Sequence, residues 1–290
     1  MPNPLVYLIR SYARDPGNWL RNISWRLPRT ISDKRMVFVV GSPRSGTTLL
    51  QRICSVHEQL FSIEGETGLF SWQNIFRDRR HFGLPDEDLS QLFATSRDTV
   101  DFFSKAITIL ENKNHNAMFV EKTPQHVLRL SFLRKHFPNA KFVHIFRDGR
   151  DCYCSSLNYS EIPQRRSVEV FANYWKECVK AGRQEGVYQI CYESLAKNAV
   201  SEVSALMSFL GLELQNSQLD PNSVANDHRG QLEQFSKLND PINPSSCGRW
   251  RDELDAKQVA KFEQIAGDEL QALGYRIGRS AFDDAGIKNA

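Results

Sequence analysis

The loop over residues 41–48 reads Gly-Ser-Pro-Arg-Ser-Gly-Thr-Thr and contains the residue types that bind phosphate. The backbone N–H groups of such a loop and the amino end of the next helix form a site for an anion. Its two glycines have the spacing of the nucleotide-binding phosphate loop, but Thr47 replaces the lysine of that loop. We therefore expect Arg44 to supply the missing positive charge. The candidate contacts to the anion are Pro43, Arg44, Ser45, Gly46, Thr47 and Thr48.

A second charged cluster begins at Arg147. The chain reads Arg-Asp-Gly-Arg-Asp over residues 147–151, and Ser155 lies two turns into the helix predicted there. Ligands of parallel α/β sheets bind beyond the carboxyl ends of the strands, so Arg147 is predicted to lie beside the first loop. Taken alone, either cluster is more typical of a solvated turn whose charges neutralise each other.

Short apolar strands that alternate with helical patterns are expected to position both clusters. The predicted strands are residues 36–40, 118–120, 141–146 and 187–192, and helical spacing occurs at 48–54, 86–113, 128–133, 200–210 and 255–273. This alternation implies parallel βαβ units. We therefore predict an α/β fold, in which a central parallel β-sheet is flanked by helices in the three-layer architecture of P-loop NTPases.

One α/β domain is predicted over residues 36–290, and a helical extension over residues 1–35 precedes it. The extension mixes apolar residues with arginines, and Pro28 marks a break before the domain. We expect it to pack on the domain, and a weak contact with an acidic membrane surface is the alternative. The polar segment 213–247 is predicted to be a long surface loop.

The composition of the 290 residues excludes several classes of protein. Hydrophobic residues at 41% and charged residues at 24% are typical of a globular chain and exclude a disordered or collagen-like one. The sequence contains no signal-peptide pattern and no apolar stretch near the ~20 residues that span a bilayer. A net charge of +3 demands no nucleic-acid partner. The six cysteines lack CxxC spacing, so we expect buried free thiols and a cytoplasmic location.

Five motifs occur in a defined order along the chain. They are residues 41–49, Glu121-Lys122-Thr123-Pro124, Arg147 with Ser155, Tyr192-Glu193-Ser194-Leu195 and residues 248–254. In this order they resemble the sulfotransferase superfamily, whose donor is 3′-phosphoadenosine-5′-phosphosulfate (PAPS). The resemblance spans about residues 36–275. It is nearer to the tyrosylprotein, carbohydrate and bacterial members than to the cytosolic steroid and phenol enzymes.

The resemblance implies a role for each motif. The first loop would bind the 5′-phosphosulfate, and Arg147 and Ser155 would bind the 3′-phosphate. Lys122 would reach the bridging oxygen of the donor, while Tyr192 and Arg249 would contact the nucleotide. The product would be 3′-phosphoadenosine-5′-phosphate (PAP), and the chemistry requires no metal.

An acceptor hydroxyl needs a general base, because its pKa lies far above neutrality. By resemblance Glu66 matches the glutamate that follows the first helix in the tyrosylprotein-type enzymes. The spacing from His57 is one residue longer here, so Glu64 is the second candidate. His126 is the third, because the cytosolic relatives use a histidine near the corresponding lysine.

Two other hypotheses stay open. One is a degenerate P-loop nucleotide kinase or NTPase, which Thr47 and the lack of a strand ending in a magnesium-binding Asp weaken. The other is a non-catalytic phosphate-binding adaptor. For an enzyme, the acceptor could be a sugar, lipid, peptide or small molecule carrying a hydroxyl or amine, and residues 67–85 are predicted to line part of its pocket. The sequence leaves the oligomeric state undetermined.

Overall fold

The computed structural model describes residues 24–25, 27–71, 82–160, 162–220, 242 and 244–278. Its strands are β1 (Met36–Gly41), β2 (Leu60–Phe61), β3 (Met118–Lys122), β4 (Lys141–Phe146) and β5 (Val187–Cys191). These strands form one parallel sheet in the order β2-β3-β1-β4-β5. The four predicted strands are confirmed. β2 was not predicted, because its two residues are too few to show a hydrophobic period.

The helices of the described residues flank this sheet. They are α1 (Thr47–Ser55), α2 (Asp86–Thr95), α3 (Thr99–Lys113), α4 (Leu130–His136), α5 (Gly149–Leu157), α6 (Val168–Gly182), α7 (Tyr192–Lys197), α8 (Ala199–Leu210), α9 (Trp250–Glu253) and α10 (Ala256–Ala272). A 3₁₀ turn, Pro124–Arg129, joins β3 to α4. None of the described helices is long and apolar enough to cross a membrane.

The alternating side chains of β1 separate two hydrophobic cores. Phe38 packs into the cluster that holds Phe103 of α3, whereas Val39 packs into the cluster that holds Leu50 of α1. All apolar residues of β1 are 0% exposed, so helices cover both faces of the sheet. This arrangement confirms the predicted three-layer α/β fold.

Register brings the carboxyl ends of three strands together at one edge of the sheet. Val39 of β1 lies opposite Lys122 of β3, and Gly41 of β1 lies opposite Ile145 of β4. The residues that follow each strand therefore meet above the same edge. This edge holds the candidate site.

The segment before β1 is joined to the domain. Trp25 is 3% exposed, and its ring stacks on Phe93 with 5.7 Å between centroids. The backbone N–H groups of Arg29 and Thr30 donate hydrogen bonds to the Asp98 carboxylate. Packing of this segment on the domain thus begins at least ten residues before β1, and most of the predicted N-terminal helix lies outside the described residues.

The prediction of a surface loop over residues 213–247 is wrong for one part of it. Residues Asn216–Leu219 form a 3₁₀ turn, and Gln218 is fully buried. Its side-chain amide donates a hydrogen bond to the carbonyl of Ile53 at the end of α1, which explains why a polar residue is buried here. Residues 221–241 and 243 lie outside the described part of the chain.

Candidate active site

The loop between β1 and α1 leaves the amino end of α1 open to an anion. The Ser45 hydroxyl and N–H both donate to the carbonyl of Ser42, which closes the loop into a tight turn. No side chain of the described residues caps α1, and its first turn holds no acidic residue. The uncapped N–H groups and the helix dipole favour negative charge there.

Gly46 is the residue that lets this loop lie close to the motif after β5. Its φ is +104°, which other residues rarely adopt, and it is the N-cap of α1. A Cβ at this position would lie 2.5 Å from Cδ2 of Tyr192. Tyr192 is therefore part of the wall of the loop, and only glycine fits beside it.

Arg44 is a partly buried cation with neutral partners. Its Nε donates to the Ser155 hydroxyl at 3.0 Å, and its guanidinium lies 3.6 Å from the ring centre of Tyr159, whose hydroxyl it also contacts. Within the described residues none of its polar contacts is with a carboxylate. Burial lowers the pKa of Arg44, and the nearby charge of Arg147 lowers it further. A backbone φ of +69° adds strain, which is typical of functional loops.

Arg147 lies beside the same loop, as predicted. One guanidinium nitrogen donates to the carbonyl of Arg44 at 3.3 Å, and the group lies 4.5 Å from the ring centre of Tyr192. The other terminal nitrogen donates to the carbonyl of Ser246, and Nε is buried without a hydrogen-bond partner among the described residues. The tertiary fold thus brings two arginines to one loop, and Nε of Arg147 has no acceptor among the described residues.

A strap formed by residues 246–250 crosses α5 next to Arg147. Asp151 holds it by accepting the N–H groups of Gly248 at 2.6 Å and Trp250 at 3.0 Å. Burial raises the pKa of Asp151 to about 6, although Arg147 opposes this shift. Trp250 is fully buried in a hydrophobic cluster with Trp175 and Phe262, so it anchors the strap by packing.

Among the described residues the contact partner of Arg249, a predicted site residue, is Glu253 and not the loop. Its guanidinium forms a two-pronged ion pair with Glu253, one turn along the chain, at 2.7 and 3.0 Å. The role expected of Arg249 is a contact with the nucleotide. It stays a prediction.

Lys122 and Glu66 form an ion pair at the end of β3. The Nζ of Lys122 donates to Oε1 of Glu66 at 2.9 Å, and their side chains are 4% and 28% exposed. Lys122 is therefore buried at the ligand edge of the sheet and is not a surface lysine. Glu64, the second candidate for the base, is exposed.

His126, the third candidate for the base, is placed where it cannot take a proton from an acceptor. It is 0% exposed. Its Nε2 accepts the N–H of Phe70, so Nδ1 carries the proton and donates to Glu121 at 2.9 Å. Both ring nitrogens are thus engaged in the core, which disfavours the alternative that assigned the base to His126.

The predicted acceptor pocket over residues 67–85 is corrected at Phe70. This ring is 5% exposed and packs against Phe103 and Phe137, so it belongs to the core. The aromatic and basic residues of segment 72–81 lie outside the described residues.

The structure adds three site residues that the sequence analysis missed. Tyr159 stacks on Arg44, Asp151 holds the strap, and Thr67 donates to Glu121 at 2.7 Å. Burial raises the pKa of Glu121, but its contacts with His126, Thr123 and Thr67 hold it below the ordinary value. Only the position of Asp151 within the Arg-Asp-Gly-Arg-Asp motif was a signal in the sequence.

Comparison with known proteins shows to which family the chain belongs. The model of the sulfotransferase family matches residues 36–216, well over half of the chain. Protein-tyrosine sulfotransferase 2 of Gallus gallus is 23% identical over 275 residues, which cover 83% of this chain and 69% of that protein. Protein-tyrosine sulfotransferase 1 of Danio rerio is 23% identical over 273 residues, which cover 84% of this chain and 73% of that protein.

Two solved structures share the fold. The sulfotransferase domain of the Synechococcus PCC 7002 olefin synthase has a TM-score of 0.59 at 19% identity, and it covers 84% of this chain and 98% of its own. The sulfotransferase domain from the curacin biosynthetic pathway also has a TM-score of 0.59, at 20% identity, and it covers 85% of this chain and 100% of its own.

Proposed function

The chain belongs to the sulfotransferase family, and we propose that it transfers the sulfuryl group of PAPS to an acceptor hydroxyl, with Glu66 as the general base. The family membership establishes sulfuryl transfer as the class of reaction. The donor, the base and the in-line course of the reaction are the parts that we propose.

The observation that carries the proposal is the charge of Arg44. Among the described residues the partly buried guanidinium of Arg44 makes its polar contacts with Ser155 and Tyr159, which are neutral, and Arg147 lies nearby, so no carboxylate of these residues pairs with Arg44 at the amino end of α1. An anion with two phosphate groups would neutralise Arg44 and supply an acceptor for the buried Nε of Arg147, whose own ion-pair partner is Asp151 at 3.8 Å. The residues present therefore fit PAPS.

The chain would divide its contacts between the two ends of that donor. Arg44, the loop N–H groups, Thr47 and Thr48 would bind the 5′-phosphate, and Arg147 and Ser155 would bind the 3′-phosphate. Arg44 contacts Ser155 in this structure, so one arginine side chain spans the distance between the two sets of residues. We expect Arg44 to exchange its contact with Ser155 for the donor.

When bound, PAPS supplies a planar, loosely bonded sulfuryl group that moves between two oxygens. The protein then has to hold these oxygens in line and stabilise charge, as in phosphoryl transfer. Glu66 would accept the acceptor proton as the new S–O bond forms. Lys122 would stabilise the negative charge on the bridging oxygen as the old S–O bond breaks. The ion pair holds the proton acceptor, Glu66, in direct contact with the cation, Lys122.

The nucleotide kinase hypothesis lacks its central residue. Thr47 is 4% exposed at the first position of α1, where a nucleotide-hydrolysing loop requires a lysine that reaches the β- and γ-phosphates. A thermal shift assay with PAP and with ATP plus Mg²⁺ separates the two hypotheses. A ligand at ~100 times its Kd adds ~2.7 kcal/mol of stability. Stabilisation by PAP is expected, and selective stabilisation by ATP plus Mg²⁺ would contradict the proposal.

A transfer assay tests the acceptor. We propose a hydroxyl-bearing acceptor, and a tyrosine-containing peptide is the first to examine, because two relatives are named protein-tyrosine sulfotransferases. Labelled PAPS is incubated with the peptide, the matching phenylalanine peptide and a panel of sugar and lipid hydroxyls. Label in the tyrosine peptide alone would identify a tyrosine hydroxyl as the acceptor. Label in a sugar or lipid would identify that hydroxyl as the acceptor instead. No label in any acceptor would contradict the proposed reaction.

A further inference from the structure

A buried carboxylate joins the segment that carries Glu66 to the strand that carries Lys122. Glu121 is 1% exposed at the end of β3. One of its oxygens accepts the hydroxyls of Thr67 at 2.7 Å and Thr123 at 2.6 Å, and the other accepts Nδ1–H of His126 at 2.9 Å. We propose that Glu121, acting through Thr67, is a positioning residue that sets the Glu66 carboxylate opposite Lys122. This inference rests on the proposed function.

Strand geometry separates the positioning contacts from the reacting pair. Successive side chains of β3 point to opposite faces, so Glu121 and Thr123 share one face and Lys122 lies on the other. Residues 66 and 67 extend to both faces in the same way, because Glu66 contacts Lys122 while Thr67 contacts Glu121. The segment therefore straddles the end of the strand.

The backbone that follows Glu66 is held at more than one point. The N–H of Gly68 donates to the Thr123 hydroxyl at 3.1 Å, and the N–H of Phe70 donates to Nε2 of His126 at 3.3 Å. Thr123 and His126 both donate to Glu121, so every one of these bonds leads to the same carboxylate. Loss of that acceptor, or of the Thr67 hydroxyl, would release the residue next to Glu66.

The negative charge of Glu121 makes the network cooperative. A buried carboxylate is costly unless several donors satisfy it, and here three donors do so. Charge-assisted hydrogen bonds are also shorter and stronger than neutral ones, which agrees with the distances of 2.6 and 2.7 Å. The result is a rigid support beneath a partly exposed carboxylate, as a general base requires.

Substitution of Thr67 tests the inference with little change in shape. Thr67→Val removes the hydroxyl and keeps the volume, whereas Thr67→Ser keeps the hydroxyl. We expect Thr67→Val to lower kcat ~10- to 100-fold, the effect of displacing a reacting group by about 1 Å, with KM for PAPS and Kd for PAP unchanged. Thr67→Ser should restore kcat to the wild-type value.

Thr99→Val is the matched control. Thr99 is 2% exposed, and its hydroxyl donates to the carbonyl of Trp25, so the substitution removes a buried hydrogen bond away from the candidate site. It should lower the free energy of unfolding about as much as Thr67→Val does, with kcat unchanged. An equal loss of kcat in the control would show that destabilisation alone explains the effect.

A double-mutant cycle identifies the residue through which Thr67 acts. If Thr67 positions Glu66, then Thr67→Val should have no further effect on kcat in the Glu66→Gln protein. Losses that add in the double mutant would contradict the inference. Glu121→Gln provides a second variant, which is expected to lower kcat at least as much as Thr67→Val with the same Kd for PAP.

Different results would contradict the proposed function and the positioning role of Glu121. A wild-type protein that binds no PAP and transfers no label from PAPS contradicts the proposed function, and the positioning role falls with it. An active wild type whose Thr67→Val variant has an unchanged kcat contradicts the positioning role alone.

Discussion

Lys122 donates a hydrogen bond to Glu66 across 2.9 Å, although the two residues lie 56 positions apart in the chain. One residue ends strand β3, and the other lies in the segment between β2 and α2. The contact joins the cation expected to stabilise the leaving group to the carboxylate expected to take the acceptor proton. The two side chains are therefore in contact before any donor is bound.

Replacement of Glu66 tests the base directly. Glu66→Gln keeps the shape of the side chain but removes the proton acceptor, so kcat should fall ~10²- to 10⁴-fold. Calorimetry should show PAP binding that is unchanged or slightly tighter, because a negative charge near the phosphates is lost. Glu64→Gln is the control and should keep wild-type turnover. The opposite ranking of the two variants would transfer the role of base to Glu64.

Arg147 is expected to recognise the 3′-phosphate. Arg147→Ala should weaken PAP binding by ~1.5–3 kcal/mol, about 10- to 150-fold in Kd, because a charge-assisted contact is lost. Binding of adenosine 5′-monophosphate, which lacks the 3′-phosphate, should change far less. Arg183→Ala, which removes an arginine paired with Glu269, is the control for lost positive charge. Equal losses for both nucleotides would show that Arg147 does not bind the 3′-phosphate.

Removal of divalent metals should leave the activity unchanged. Arg44, Arg147 and Lys122 provide the positive charge that a nucleotide-hydrolysing loop obtains in part from Mg²⁺. Initial rates of sulfuryl transfer are measured after dialysis against EDTA and again after Mg²⁺ is restored. A rate that falls to background in EDTA and recovers when Mg²⁺ is restored would support the nucleotide kinase hypothesis instead.

The protein should lose stability between about pH 6.5 and pH 4 in part through His144. Burial lowers the pKa of this imidazole to about 4, whereas in the unfolded chain it is near 6.5. The unfolded state therefore takes up a proton in this window and the folded state does not, so the free energy of unfolding falls as pH falls. The contribution is at most ~3 kcal/mol.

A neutral replacement of His144 isolates this effect. His144→Asn can still donate to Oε1 of Gln189, which Nδ1 contacts at 2.8 Å, but it does not titrate. Denaturant unfolding of both proteins across the same pH range should give a shallower slope for the variant, whatever its absolute stability. Parallel slopes would assign the acid sensitivity to other groups.

Substitution by alanine at two glycines, Gly182 and Gly267, should change the stability of the fold in opposite directions. A Cβ on Gly182, at the end of α6, would lie 2.5 Å from the buried His144 ring, so Gly182→Ala should destabilise the fold by ~1–3 kcal/mol. A Cβ on Gly267, within α10, would lie 3.6 Å from the nearest side-chain atom outside its helix, that of Ile277. Gly267→Ala should stabilise the fold by ~0.5–1 kcal/mol through helix propensity. Denaturant unfolding of the two variants measures the sign of each change in the free energy of unfolding.

The order of the four longer strands was predictable from the sequence, because local patterns encode it. The unbroken apolar run of β1 indicated a strand covered on both faces, and Gly211 marked the end of α8, where its φ is +77°. The phosphate loop was recognisable for the same reason, since its glycine spacing lies within eight consecutive residues. Local patterns also placed Arg147 after a strand, and parallel strands bring their carboxyl ends to one edge of a sheet.

Tertiary contacts are what favour Glu66 over the other two candidate bases, Glu64 and His126. Glu64 and Glu66 are separated by one glycine, and nothing in their local sequence distinguishes a solvated carboxylate from a paired one. Only the folded chain brings Lys122 to Glu66, leaves Glu64 exposed and buries His126 with both nitrogens engaged. Burial and pairing are properties of segments that meet in space, so spacing along the chain could not reveal them. The partners of Arg44 were hidden for the same reason, because Ser155 and Tyr159 lie more than a hundred residues away along the chain.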